Sequence, residues 1–321
     1  MQGHFTIAAR GGRITLDGSK PQTESMKIDR RHFLATTSLA LGAAGVGVKS
    51  LPAAEVAPSP PGGLQSSPLR LGLVTYNLAK DWDLATLIKN CAEAKFEGVE
   101  LRTTHAHGVE VTLSKAQRAD VKARFENSPV QLVSLGSVFD YHTPDQAKLR
   151  RDIEATKEYI VLAKEVGAAG VKVRPNALPK EVPKEKTLEQ IGRSLRELGD
   201  FGQPHGISIR LEVHGTDTSL IPNIRTILDA ANHPNVGACW NSNQTDLAGA
   251  GFAANFDLLQ GRILAAHITE LYNEEYPYRR LFARLKDSGF TGFCLAEIPE
   301  SKDPVRLMKY YRGLWLALQA G

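Results

Sequence analysis

The segment ISIRLEVHGTDTSLIPNIRTILDAANHPNVGACW (residues 207–240) reads as a strand over Ile207–Glu212, a helix near Leu220–Ala231 and a second strand over Val236–Trp240. Two strands joined through a helix form a right-handed parallel crossover, the unit of sheets whose faces are covered by helices. The same rhythm extends in both directions. Upstream strands fall at Arg70–Tyr76, Gly98–Arg102, Gln131–Leu135 and Gly170–Arg174, and downstream strands at Ile263–Ile268 and Gly292–Glu297. Helices are predicted near Leu84–Ala94, Ser114–Asn127, Pro144–Val166, Lys184–Gln203, Phe252–Leu259, Arg279–Asp287 and Pro304–Gln319. Several end just before a glycine (Gly98, Gly167, Gly206, Gly289), as helices do when the chain turns back into a strand. Eight such units in about 254 residues match the size of a closed (β/α)8 barrel. An open doubly wound sheet is the alternative, but VTYNLAKDWD (Val74 to Asp83), after the first strand, lacks the glycines of a phosphate loop.

Of 321 residues, 42% are hydrophobic and 23% charged, the composition of a globular chain rather than a fibrous or disordered one. Seven of the 39 Lys and Arg and four of the 35 Asp and Glu lie in residues 1–67, leaving 32 bases against 31 acids in the remainder. So even a balance offers no basic stripe to displace counterions from phosphates, and no nucleic-acid partner is expected. Residues 1–50 read as an N-terminal extension and export signal. DRRHFLATTSLALGAAGVGV (Asp29 to Val48) pairs Arg30 and Arg31 with a short, weakly apolar run and resembles a twin-arginine signal, with Met26 as a possible true start. This implies a periplasmic or secreted protein whose only dealing with a membrane is through that signal. An uncleaved anchor is the competing reading. Residues 51–68, rich in Pro, Ser and Gly, form a linker, and residues 69–321 the barrel. Cys91, Cys239 and Cys294 form no CxxC pair and read as buried thiols. In the last helix, Leu307, Met308, Tyr311, Leu314, Trp315 and Leu318 make one apolar stripe.

Barrels of this kind carry their chemistry at the C-terminal ends of the strands, so the polar residues closing each apolar run are the informative ones. These are Glu100 and Arg102, Lys172 and Arg174, Glu212 and His214, Asn241 and Asn243, His267, and Glu297. Alternation along a strand puts each pair on one face. The steps from Glu212 to Asn241, His267 and Glu297 are 29, 26 and 30 residues, about one βα unit each. Four donors on four neighbouring strands make a ring fit to chelate one divalent ion. A carboxylate ending a buried strand has little structural excuse, which singles out Glu212 and Glu297. For the others a structural role stands beside the functional one: core packing for His267, and cross-strand ion pairs for Glu100, Arg102, Lys172 and Arg174. His105, His107, His142 and Tyr272, Tyr276 and Tyr278 lie in loops where they would touch a sugar or simply pack. Asp246 would either supply charge to the ring or cap the helix near Phe252.

LEVHG (Leu211 to Gly215), CWNSNQTD (Cys239 to Asp246), AAHITEL (Ala265 to Leu271) and GFCLAEIPE (Gly292 to Glu300), in this order and spacing, resemble the xylose isomerase-like TIM barrel family of sugar isomerases and epimerases. FEGVELR (Phe96 to Arg102) fits its second strand. The resemblance covers residues 69–320 and implies a divalent ion (Mn²⁺, Mg²⁺ or Co²⁺) held by Glu212, Asn241, His267 and Glu297. It also implies a possible homodimer. The chain departs from the family where Asn241 and Gln244 stand in place of Asp and His. An amide oxygen can ligate a hard cation but brings no charge, so the ring holds two negative charges instead of three. A metal-free site, with Asn241 and Asn243 bonding sugar hydroxyls, is the alternative.

The expected chemistry is proton abstraction beside a carbonyl. Glu212 and Glu297 flank the carbon, and a cation with His267 stabilises the enediolate. Glu100, Arg102, His142, Lys172, Arg174, His214 and Asn243 would bind the substrate. Return of the proton gives an epimerase or isomerase, and loss of a β-substituent gives a lyase acting on 3-keto-glycosides. An exported enzyme would meet unphosphorylated sugars or keto-sugars. A non-catalytic carbohydrate-binding barrel is the reading from a different class.

Overall fold

The structure is a computed structural model, and it describes residues 69–320. In chain order these form β1 (Arg70–Val74), α1 (Leu84–Ala94), β2 (Gly98–Arg102), α2 (Lys115–Glu126), β3 (Gln131–Asp140), α3 (Gln146–Val166), β4 (Gly170–Arg174) and α4 (Lys184–Gly202). The second half comprises β5 (Ser208–Glu212), α5 (Ile221–Ala231), β6 (Val236–Asn241), α6 (Gly251–Leu259), β7 (Ile263–Ile268), α7 (Tyr278–Asp287), β8 (Phe293–Ala296) and α8 (Pro304–Gln319). Every strand pairs in parallel with the next, and β8 closes on β1 through the register Arg70↔Phe293 to Leu73↔Ala296. The chain is a (β/α)8 TIM barrel. The signal and linker expected before residue 69 lie outside the described residues. Among those described, no helix is long and apolar enough to cross a membrane.

Local chemistry sets the helix ends. Asp83 and Asp145 accept hydrogen bonds from the first backbone N–H groups of α1 and α3, and Ser114 and Gln117 form a reciprocal capping box at the start of α2. Strand alternation then divides the side chains into two sets. Leu71, Leu73, Val99, Leu101, Val171, Val173, Ile209 and Leu211 face outward and are sealed under the helices. The inward set is partly apolar (Val74, Val133, Cys239, Ala265, Phe293, Leu295) and otherwise polar or charged: Glu100, Ser134, Lys172, Arg210, Glu212, Asn241 and His267 are all buried. The three cysteines are free and buried. In α8 the buried residues are Met308, Tyr311, Trp315 and Leu316, whereas Leu314 stays 37% exposed. The stripe read from the sequence is therefore rotated slightly, centred on Tyr311 and Trp315. β3 runs five residues past its expected end at Leu135, to Asp140.

Candidate active site

Eight of the polar residues expected at the strand ends line one cavity of about 360 Å³ at the C-terminal mouth: Arg102, Lys172, Arg174, Glu212, His214, Asn241, Asn243 and Glu297. His267 is fully buried beside that cavity, on β7 next to Asn241 of β6 in the sheet register. Its Nδ1 lies 3.5 Å from Glu212 Oε1 and 3.6 Å from Glu297 Oε2, although β5 and β8 are three strands apart. Ligand atoms of Glu212, His267 and Glu297 all fall within 4.8 Å of one another.

The ionisation of this cluster follows from its burial. For Glu212, burial works toward the neutral acid. Lys172, whose Nζ donates to Glu212 Oε2 at 2.8 Å, and His267 outweigh it and hold the carboxyl well below the usual range. Lys172 is raised in turn: burial opposes its charge, but Glu212 and Glu100 restore it. Burial also disfavours an imidazolium at His267, yet Cys239 and Glu100 beside it push that ring well above its ordinary value. Burial holds the Cys239 thiol above its usual range as well, so of these two it is Glu100 that carries the negative charge. Glu100 lies deeper than the cavity. Ser134 Oγ donates to its Oε2 at 2.7 Å, and its Oε1 is 3.3 Å from His267 Nε2. A glycine at 136 is what admits this carboxylate, since a Cβ there would sit 2.7 Å from Glu100 Oε1. Substrate contact was expected of Glu100; the structure instead sets it behind His267.

The donor set suits a divalent ion. His267 Nδ1 is buried without a hydrogen-bond partner, yet faces two carboxylate oxygens. Ligand bonds of ~2.1 Å in tetrahedral geometry put neighbouring donors about 3.4 Å apart, close to the two spacings seen. A carboxylate behind the far ring nitrogen is also the usual support of a metal-bound histidine. Asn241 is the fourth member. Its Nδ2 points at Glu212 Oε1 (3.4 Å), and turning the amide over would present its oxygen instead.

The remaining expected residues divide. Arg102 and Arg174 each donate to backbone carbonyls, of Thr103 and Val138 respectively. Asn243 Nδ2 is committed to Val213 O at 2.6 Å. Burial lowers the His214 imidazole below its ordinary value, and its Nδ1 has no partner. His142 does not line the cavity: the extension of β3 carries it to a contact with Asp140, 3.1 Å away. His107 is tied to backbone at Arg102 and Val109, and Tyr276 and Tyr278 are buried, so these pack their loops. Asp246 neither joins the ring nor caps α6. It accepts from Tyr276 Oη (2.6 Å) and from the Asn243 N–H (3.1 Å), inside a 3₁₀ turn over Gln244–Leu247. Tyr76 and Thr269 line the cavity and were missed by the sequence reading. Tyr76 ends the first apolar run, where its aromatic character masked its position at a strand end. It now stacks with His105, with ring centroids 6.3 Å apart.

Comparison with known proteins gives a consistent picture. Residues 88–314 match the family profile of the xylose isomerase-like TIM barrel. An inosose isomerase of Bacillus velezensis is 22% identical over 208 residues, covering 64% of this chain and 71% of that protein. Two solved structures share the fold. The IolI protein with a bound zinc atom has a TM-score of 0.60 at 16% identity, covering 78% of this chain and 96% of its own. The 3-keto-D-glucoside 4-epimerase YcjR from E. coli reaches 0.65 at 14%, covering 78% and 99%.

Proposed function

The chain belongs to the xylose isomerase-like TIM barrel family, and from that premise we propose that it is a sugar isomerase or epimerase that removes a proton next to a carbonyl. The observation that carries this reading is the convergence of Glu212 and Glu297 on His267 Nδ1, at 3.5 and 3.6 Å, beside the cavity. The inosose isomerase relative supports the reaction class. Glu212, His267 and Glu297, with the Asn241 amide oxygen, would hold a divalent ion. Such an ion supplies Lewis-acid polarisation of the substrate carbonyl.

The two carboxylates are unequal. Glu212 is 4% exposed and bound to Lys172, so its carboxyl is a poor base; the proton given on that side comes from the Lys172 ammonium, and exchange of the Glu297 and Lys172 protons with water resets the site after turnover. Glu297, 22% exposed to the cavity and within 4 Å of no Lys or Arg among the described residues, takes the substrate proton. Proton return from the Glu212–Lys172 side inverts the carbon, whereas return at the neighbouring carbon interconverts aldose and ketose. Arg102, Arg174, His214 and Asn243 surround the hydroxyls.

An unphosphorylated sugar or keto-sugar is the proposed substrate. That part rests on export through Arg30 and Arg31 to the periplasm, where sugar phosphates are scarce. Export that persists in an Arg30→Lys/Arg31→Lys variant removes that support. The test of the reaction is deuterium uptake from heavy water into a panel of ketoses and 3-keto-glycosides, beside a Glu297→Gln variant. Exchange that vanishes in the variant supports the proposal. No exchange with any sugar, in protein loaded with Mn²⁺, Mg²⁺, Co²⁺ or Zn²⁺, overturns it in favour of a carbohydrate-binding barrel. Release of a β-substituent with exchange identifies the lyase outcome.

A further inference from the structure

The opposite mouth of the barrel carries a second built cavity, also of about 360 Å³. It is lined by residues at or next to the N-terminal ends of strands, among them Arg70, Gln131, Ser208, Arg210 and Phe293, and no carboxylate lines it. Arg210 is the unusual member. It points inward on β5, two residues before Glu212, and is only 7% exposed. Its Nε donates to Ser208 Oγ at 3.2 Å, its Nη1 is buried with no partner, and among the described residues no carboxylate lies within 4 Å of its guanidinium. Arg70 presents a second guanidinium. It stacks 3.7 Å from the Phe293 ring and donates to Gln131 Oε1 at 2.9 Å, while its Nε is likewise buried and unpartnered.

Glu100 attracts Arg210 only from beyond contact distance; a buried cation with no carboxylate against it is costly, and a guanidinium cannot escape the cost by losing its proton. Packing alone gives no reason for it, because a methionine or leucine would fill the same place. The fold reserves room for it instead. Gly170 faces Arg210 from β4, and a Cβ there would come within 2.6 Å of Nε and 2.9 Å of Cζ. We propose that this N-terminal cavity binds a small oxyanion, a phosphate or carboxylate group, between Arg210 and Arg70. Planar guanidinium N–H groups match such oxygens, and Ser208 and Gln131 supply further polar contacts. The site is separate from the sugar-binding mouth and does not depend on the reaction proposed there. Arg210 and Glu212 share the inner face of β5, so an anion bound below would act on the charge balance of the catalytic cluster above.

The test is calorimetric titration of the full chain with inorganic phosphate and, separately, acetate, at ionic strength fixed with chloride, alongside Arg210→Met, Arg70→Gln and Arg174→Gln variants. Saturable binding is expected for at least one of the two anions. It should weaken about tenfold or more in Arg210→Met and in Arg70→Gln, the loss of a charge-assisted hydrogen bond. It should be unchanged in Arg174→Gln, whose side chain lies at the other mouth. If Arg210→Met fails to fold, Arg70→Gln at the cavity rim decides the matter. Absence of saturable binding by either anion overturns the proposal. So does binding that Arg70→Gln leaves intact, or binding that Arg174→Gln weakens, which places the anion in the catalytic cavity.

Discussion

Lys172 and Glu212 form an ion pair of 2.8 Å with side chains 8% and 4% exposed, tying β4 to β5 in the wall of the candidate cavity. It is the point at which the stability of the barrel and the chemistry of the site meet. A pair this deep is worth little over an apolar replacement, but breaking it leaves one charge stranded.

Lys172→Met should therefore destabilise the fold by about 3–5 kcal/mol, the usual cost of removing one partner from a buried pair. Glu100 and Glu297 also lean on the same ammonium, which adds to the strain of losing it. The double variant Lys172→Met/Glu212→Gln should recover much of that loss. Urea denaturation of the two single variants and the double measures the coupling. Additive losses would show that the pair does not act as a unit.

Glu297→Gln should separate chemistry from folding. Its side chain is 22% exposed and has no Lys or Arg within 4 Å among the described residues, so its amide isostere should fold with wild-type stability. Loss of the base should slow solvent deuterium exchange at the sugar α-carbon by roughly 10²–10⁴-fold. Thermal denaturation and exchange on one preparation check both statements. A variant that exchanges at the wild-type rate would move the base elsewhere.

These residues were legible because a carboxylate or imidazole that ends an apolar run must be accounted for in a buried sheet. The eight-unit repeat placed Glu212, His267 and Glu297 on strands that the closed barrel brings together. What the sequence hid was depth. Glu100 and Arg102 are two residues apart on one face, yet only Arg102 lines the cavity, since two residues along a strand descend roughly 6.6 Å. Glu100 reads alike at either depth. His142 was misplaced because β3 continues to Asp140, and the polar residues Ser134 and Ser137 inside it gave no sign of a strand that long. Asp246 was hidden by its partner: Tyr276 is 30 residues away, and nothing in either local pattern links them.

Asp246 should impose a pH dependence on stability. Burial raises its carboxyl to about 7, against the opposing hydrogen bonds from Tyr276 and Asn243. In the unfolded chain the group ionises near 3.8. Below that pH both states are protonated and nothing is lost. Between about 4 and 7 the unfolded chain releases a proton that the folded chain keeps, so stability falls as pH rises, by on the order of 4 kcal/mol in all, and then levels off. Asp246→Asn keeps the acceptor for Tyr276 and removes the titration. The stability difference between wild type and Asp246→Asn, measured by urea denaturation from pH 4 to 8, should grow in the variant's favour up to about pH 7. A flat difference would mean that Asp246 ionises normally.

Asn241→Asp tests the charge of the candidate metal set. Asn241 lies beside His267 in the β6–β7 register and 3.4 Å from Glu212 Oε1, so an aspartate there would bring a third carboxylate to the ring. Without a cation, that carboxylate would be buried close to Glu212 and should destabilise the metal-free protein. With a cation it adds an anionic ligand, and affinity should rise by roughly tenfold or more. The two effects together predict that metal addition raises the melting temperature more in Asn241→Asp than in wild type. Competition against a fluorescent chelator, with Mn²⁺ or Zn²⁺, gives the affinities directly. Equal affinities would place the ion away from Asn241. Failure of Mn²⁺, Mg²⁺, Co²⁺ and Zn²⁺ alike to bind either protein would leave His267, rather than a metal, as the positive centre among the three carboxylates.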